Sequence, residues 1–147
     1  MLLPSATVER AYPQFSPDGK ELAFIEERNR LMVINLDTKK VRQITDGSTW
    51  FSTDGNFDYQ WSPDGKWFTL EFIGNRHDPY SDIGLVSAKG DSPITNLTNS
   101  GYMSGSPRWV LDGNAILFTT ERYGMRAHAS WGSQNDAMLV FLNQDAF

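Results

Sequence analysis

Two histidines are the first residues in this sequence that invite a chemical reading. His77 is followed at once by Asp78, and His128 stands two residues before Ser130. A nucleophilic serine needs an imidazole base within hydrogen-bond reach and a third group that orients the base. No Gly-x-Ser-x-Gly elbow is present. Ser104, in "YMSGSPRW", and Ser130 lie in Gly- or Ser-rich stretches, where turn and cap roles are the expectation. No catalytic residue is assigned. Asp54, Asn56 and Asp58 alternate like the opening of a calcium loop, yet the sixth position is Tyr59 and the twelfth is Gly65. The pattern that encloses calcium needs Gly and Glu there, so a turn is expected, with no metal and no cofactor.

The stretch Glu121 to Asp136, "ERYGMRAHASWGSQND", carries more. It holds Arg122, Tyr123, Arg126, His128 and Trp131, a mixture suited to gripping a peptide: cations for carboxylates, flat rings for apolar side chains. Sixteen residues is long for a connection in a compact domain, and long loops on rigid scaffolds tend to bind. The competing reading is a loop packed on a neighbouring sheet, with Trp131 as its plug.

The elements that must position this loop are announced by a repeated phrase. Phe15 to Lys20 reads "FSPDGK", Trp61 to Lys66 reads "WSPDGK", and Trp109 to Asn114 reads "WVLDGN". Ser-Pro-Asp-Gly predicts a tight turn: Pro presets φ, Asp suits the third position, and Gly accepts positive φ at the exit. An aromatic precedes each copy and an apolar, strand-forming run follows, which is a hairpin signal. The spacings are 46 and 48 residues. Periods of this size with several short strands each indicate propeller blades. Further strands are predicted at residues 31–36 and 41–45, 83–86 and 94–98, and 138–142. The expected fold is all-β: three consecutive four-stranded antiparallel sheets of a partial β-propeller. The blades fall at about 7–46, 57–99 and 105–147, the last with an incomplete outer strand. Tyr59, Trp61, Trp67, Phe72, Trp109 and Phe118 are expected to pack between blades.

Composition narrows the function. A net charge of −5 over 147 residues, without a basic run, argues against nucleic acid and anionic membrane surfaces. The absence of cysteine excludes disulfides and thiol chemistry. No apolar stretch approaches membrane-spanning length, and "MLLPSATVER" does not read as a secretory signal. Propellers close with roughly 4–8 blades, so three are expected either to continue into a longer chain or to self-associate, two copies making six blades.

The repeat [FW]-S-P-D-G-K, closed by "VRQIT" or "PITNLT", resembles the propeller repeats of the TolB and tricorn protease families along the whole chain. The third unit, "ILFTTERYGMRAHASWGSQNDAMLVFLNQDAF", resembles the amino-terminal propeller of tricorn-like serine peptidases. That resemblance implies a non-catalytic segment that gates or docks peptide or protein substrates, with the catalytic domain downstream. It also implies a periplasmic or cell-envelope setting. The rival implication is a TolB-like protein-interaction scaffold with no peptidase attached.

Overall fold

Each repeated turn is held by its own side chains. In the computed structural model, which describes residues 7–50, 57–74, 79–125 and 133–146, Ser16 Oγ donates to Asp18 Oδ1 at 2.7 Å. The same oxygen accepts the Glu21 N–H at 3.0 Å. Ser62 repeats the device: it donates to Asp64 Oδ1 at 2.6 Å and accepts from Lys66 N and Trp67 N at 3.1 and 2.9 Å. Gly19 and Gly65 take positive φ of 71° and 69°, as the turn requires. Where the third copy has Val110 for serine, the hydroxyl is lost and the chain turns through three left-handed residues, Leu111, Asp112 and Gly113. The hairpin register survives, with Trp109 opposite Ile116 as Trp61 is opposite Phe68.

These turns join the first two strands of three antiparallel sheets. The first sheet is β1 (Arg10–Phe15), β2 (Glu21–Glu26), β3 (Arg30–Asn35) and β4 (Val41–Gln43), paired in chain order. The second is β5 (Tyr59–Trp61), β6 (Trp67–Phe72), β7 (Asp82–Ser87) and β8 (Thr95–Asn96), again in order. The third contains β9 (Ser104–Val110), β10 (Ala115–Thr120) and β11 (Asp136–Phe141), three strands among the described residues. Short 3-10 turns are the helical elements described, so the fold is nearly all-β.

Alternation along the strands gives each sheet two working faces. Ala23, Ile25, Leu31 and Val33 of the first sheet pack against Tyr59, Trp61, Phe68 and Leu70 of the second. The other face of the second sheet, with Ile83 and Leu85, meets Ile116, Phe118, Met138 and Val140 of the third. The same polar contact marks both junctions. The Trp61 indole donates to the Gln14 carbonyl at 3.3 Å, and the Trp109 indole donates to the Gln60 carbonyl at 3.3 Å. Phe15 holds the equivalent place in the first sheet and is 65% exposed.

Two further repeats explain residues that looked merely recurrent. The hydroxyl of Thr45 accepts the Leu31 N–H at 2.9 Å, and that of Thr98 accepts the Ile83 N–H at 3.1 Å. The threonine closing "QIT" and "NLT" therefore completes the ladder where the outer strand ends. Neighbouring turns also meet: a Cβ on Gly65 would lie 3.6 Å from Pro17 Cδ, and one on Gly113 would lie 3.3 Å from Pro63 Cδ. Pro and Gly of the motif thus serve the contact between sheets as well as the turn itself.

One expectation needs correcting. Trp67 was expected to pack between blades, but it is 41% exposed. Its strand position turns the ring to the rim of a groove rather than into the buried seam.

Candidate functional site

The end of β10 delivers the residues of interest. Thr120 is followed by Glu121, Arg122 and Tyr123, and the Arg122 guanidinium lies 5.2 Å from the centroid of the Tyr123 ring. Tyr123 is 65% exposed, so this cation–π pair presents both groups to solvent. The chain then narrows. The Gln134 N–H donates to the Met125 carbonyl at 3.1 Å. A Cβ on Gly124 would fall 1.6 Å from the Gln134 carbonyl oxygen, so the two arms of the loop meet where no side chain fits.

Beneath Arg122 lies a cavity of about 110 Å³ between the second and third sheets. Its walls are Leu97 from the end of the second sheet and Phe118, Met138 and Val140 from the third, with hydroxyls of Thr98, Ser104 and Thr120 at the polar side. A buried network sets this polar side. Asp82, on β7, accepts from Thr98 Oγ1 at 2.6 Å and from Asn96 Nδ2 at 2.8 Å. Ser104 Oγ donates to Thr120 Oγ1 at 3.2 Å, and Ser81 Oγ donates to the Ser104 carbonyl at 2.8 Å. The arrangement can bind: it offers a rim cation, oriented hydroxyls and an apolar recess. Among the described residues of this recess, Ser104 is buried and its hydroxyl donates to Thr120.

A second polar feature bridges the same two sheets. Glu71 accepts the Ser106 N–H at 2.7 Å and the Asp58 N–H at 3.2 Å. Burial raises its carboxyl above the usual range, opposed by the two backbone N–H donors. A Cβ on Gly105 would come within 2.7 Å of Glu71 Oε1, so a larger residue there would push the carboxylate tip aside. Asp58, from the alternating acidic stretch, pairs with Arg108 Nη1 at 2.6 Å. Among the described residues, no group of three or more His, Cys, Asp or Glu is placed to hold a metal ion.

Of the loop residues singled out from the sequence, Arg122 and Tyr123 stand together, whereas Arg126, His128 and Trp131 lie outside the described residues. His77, Asp78 and Ser130 lie outside them too. Sequence reasoning missed the recess itself. Its walls come from Leu97, Phe118 and Met138, and the available signal was the "NLT" that closes the second unit.

Comparison with known proteins places this geometry. The model of the dipeptidyl peptidase IV (DPP IV) N-terminal region matches residues 2–73. A protein named as a tricorn-like protease C-terminal subunit, from Sulfurisphaera tokodaii, is 28% identical over 108 residues, covering 74% of this chain and 12% of that protein. The crystal structure of the tricorn protease superposes with a TM-score of 0.70 at 14% identity, over 95% of this chain and 14% of that one. TolB from Acinetobacter baumannii superposes with a TM-score of 0.62 at 23% identity, over 92% of this chain and 31% of that one. The chain therefore spans well under half the length of each. Three meandering sheets, the recurring Ser-Pro-Asp-Gly turn and these superpositions agree on the architecture: the chain is a β-propeller segment with the fold seen in the tricorn protease and in TolB.

Proposed function

We propose that this chain is the non-catalytic propeller part of a tricorn-like serine peptidase, and that it docks or gates peptide substrates for chemistry performed elsewhere. The observation that carries the reading is Arg122. This exposed cation lines a recess shared by apolar side chains and by the hydroxyl residues Thr98, Ser104 and Thr120, and among the described residues it makes no ion pair. A peptide carboxylate would meet the cation while a side chain of a few carbons entered the recess. Tyr123 adds an exposed ring beside the path. The likeness to a tricorn-like protease subunit supports a peptidase setting.

The test is a calorimetric titration of the chain with tri-alanine, as the free acid and as the C-terminal amide. The free acid is expected to bind, with the amide and the Arg122→Gln variant at least about tenfold weaker, the loss typical of one charge-assisted contact. Equal binding of acid and amide would remove the carboxylate role. The likeness to TolB favours a second reading, a protein-interaction scaffold with no peptidase attached. A serine-peptidase region encoded downstream in the same reading frame supports the first reading, and a stop soon after the last blade supports the second.

Phe15 bears on assembly. Its ring takes the position from which Trp61 and Trp109 pack on the preceding sheet, yet it lies open. In this reading it marks the face that receives a further sheet, from the same chain or a second copy.

A further inference from the structure

The first residue of the third strand holds one place in each sheet. Register fixes it: Arg30 pairs with Glu26, Asp82 with Phe72, and Asp136 with Thr120. In the second sheet this residue fastens the outer strand. Asp82 accepts from Asn96 Nδ2, from Thr98 Oγ1 and, at 3.3 Å, from the Ser100 N–H. Its counterpart Asp136 has a buried carboxylate oxygen, Oδ2, with no hydrogen-bond partner among the described residues. A buried acceptor in that condition costs free energy, and it marks where a donor belongs.

The strand edge beside Asp136 has the same character. The outer strands of the first two sheets, Val41–Gln43 and Thr95–Asn96, are three and two residues long. β11 runs six residues, Asp-Ala-Met-Leu-Val-Phe, with no Lys, Arg, Pro or bulge to guard it. Among the described residues no strand pairs with its outer side. In the other sheets, the Ile44 and Leu97 N–H groups donate to the Leu31 and Ile83 carbonyls at 2.8 Å. Ala137 is the counterpart of Leu31 and Ile83.

The recess lies where an added strand would place a side chain. Ile94, just before β8, packs beside Phe72 and over Gly84, where a Cβ would fall 2.5 Å from Ile94 Cγ2. The counterparts of Phe72 and Gly84 are Thr120 and Met138, and both line the recess. Direction agrees as well. β8 is antiparallel to β7, so its carboxyl end runs toward Asp82. Gly74 sits beside that end, for a Cβ on it would lie 3.1 Å from Asn96 Nδ2. Arg122 is the counterpart of Gly74, each standing two residues past the strand partner of the aspartate. A strand added to β11 in the sense of β8 therefore carries its C-terminal carboxylate toward Arg122.

We propose that peptides dock here by strand addition, antiparallel to β11, and that the preferred ones carry the pattern aliphatic-x-Asn near a free C-terminus. The aliphatic side chain takes the recess, as Ile94 takes the space over Gly84. The Asn amide donates to Asp136, as Asn96 does to Asp82. Main-chain bonds along β11 supply affinity, and the alternate side chains supply selection. The inference rests on the reading of Arg122 as a carboxylate contact, and it adds how the peptide lies and which residues it carries.

The experiment titrates the isotope-labelled chain with acetyl-Pro-Ile-Thr-Asn-Leu as the free acid, the order of residues 93–97. Binding is read from the backbone N–H resonances of Ala137 and Leu139. Saturable shifts at both are expected, with slowed hydrogen exchange. A methyl group on the peptide's Leu nitrogen, which matches the Leu97 N–H, should weaken binding about tenfold. The same group on the Asn nitrogen, which ladder alternation turns outward, should matter far less. Replacing the peptide's Asn by Ala should weaken binding about threefold to tenfold, and by less against Asp136→Ala protein. Equal tolerance of both methyl groups overturns the proposal; if Arg122→Gln still weakens binding, the docking reading survives alone. Sensitivity to the Leu methyl group with indifference to Arg122→Gln supports strand addition and removes the carboxylate contact. No saturable shift at millimolar peptide overturns both.

Discussion

Ser62→Ala is the sharpest probe of why the turn phrase recurs. Ser62 is 2% exposed and makes three side-chain bonds. Removing its oxygen leaves the Lys66 N–H with Asp64 Oδ1 at 3.1 Å, but takes the side-chain acceptor from the Trp67 N–H. An N–H deprived of its partner costs about 1–3 kcal/mol, and the lost hydroxyl-to-carboxylate bond adds about 1 kcal/mol. Asp64 regains water, its side chain being half exposed, which offsets part of the second contribution. The expected net loss is about 2–3 kcal/mol. Urea unfolding followed by tryptophan fluorescence measures it, with the midpoint falling at unchanged m-value.

The loss also carries a pH signature. The Ser62 hydroxyl is the chief reason the Asp64 carboxyl titrates below its ordinary range. A carboxyl lowered on folding contributes stability above its unfolded pKa, and this is lost as pH falls through the lowered folded value. Ser62→Ala should therefore unfold with a shallower acid limb. A loss under about 0.5 kcal/mol, the scatter of ordinary surface substitutions, with an unchanged acid limb would refute the claim that the serine organises the turn.

Other outcomes follow from single contacts. Thr45→Val, which keeps the shape but takes the acceptor from the Leu31 N–H, should cost about 1–3 kcal/mol in the same unfolding assay. Glu71→Gln should flatten the pH dependence: burial raises the folded pKa of Glu71, so its protonated form favours folding and native stability declines as pH rises from the unfolded value through the raised one. Comparing denaturation midpoints across that window checks it. Gly124→Ala should open the neck at Gln134 and weaken tri-alanine binding while leaving the unfolding midpoint nearly unchanged. Phe15→Ser should lower any self-association seen by light scattering across a dilution series, because it removes the exposed ring of the first sheet.

The legible part of this fold was local. Ser16 and Ser62 bond within five residues of themselves, so their turns could be read from six letters. The indoles of Trp61 and Trp109 recur at the blade period, and the period located both junctions. Parts that depend on distant residues were not legible. The recess under Arg122 joins Leu97 to Met138, and Glu71 meets Ser106 across 35 residues. Trp67 shows the limit most directly. "WSPDGKW" puts aromatics at Trp61 and Trp67 on one hairpin, but strand alternation sends the first into the seam and the second to an open groove.

The central claim, that this propeller segment holds peptides and does not cleave them, is met by one measurement. The purified chain is equilibrated by dialysis with a defined mixture of short peptides, and mass spectrometry then reads both retained peptides and new fragments. The account predicts retention of free-acid peptides ending in small apolar residues, loss of that retention in Arg122→Gln, and no new fragments. Fragments that vanish with a serine-directed inhibitor, or retention indifferent to Arg122, would contradict it.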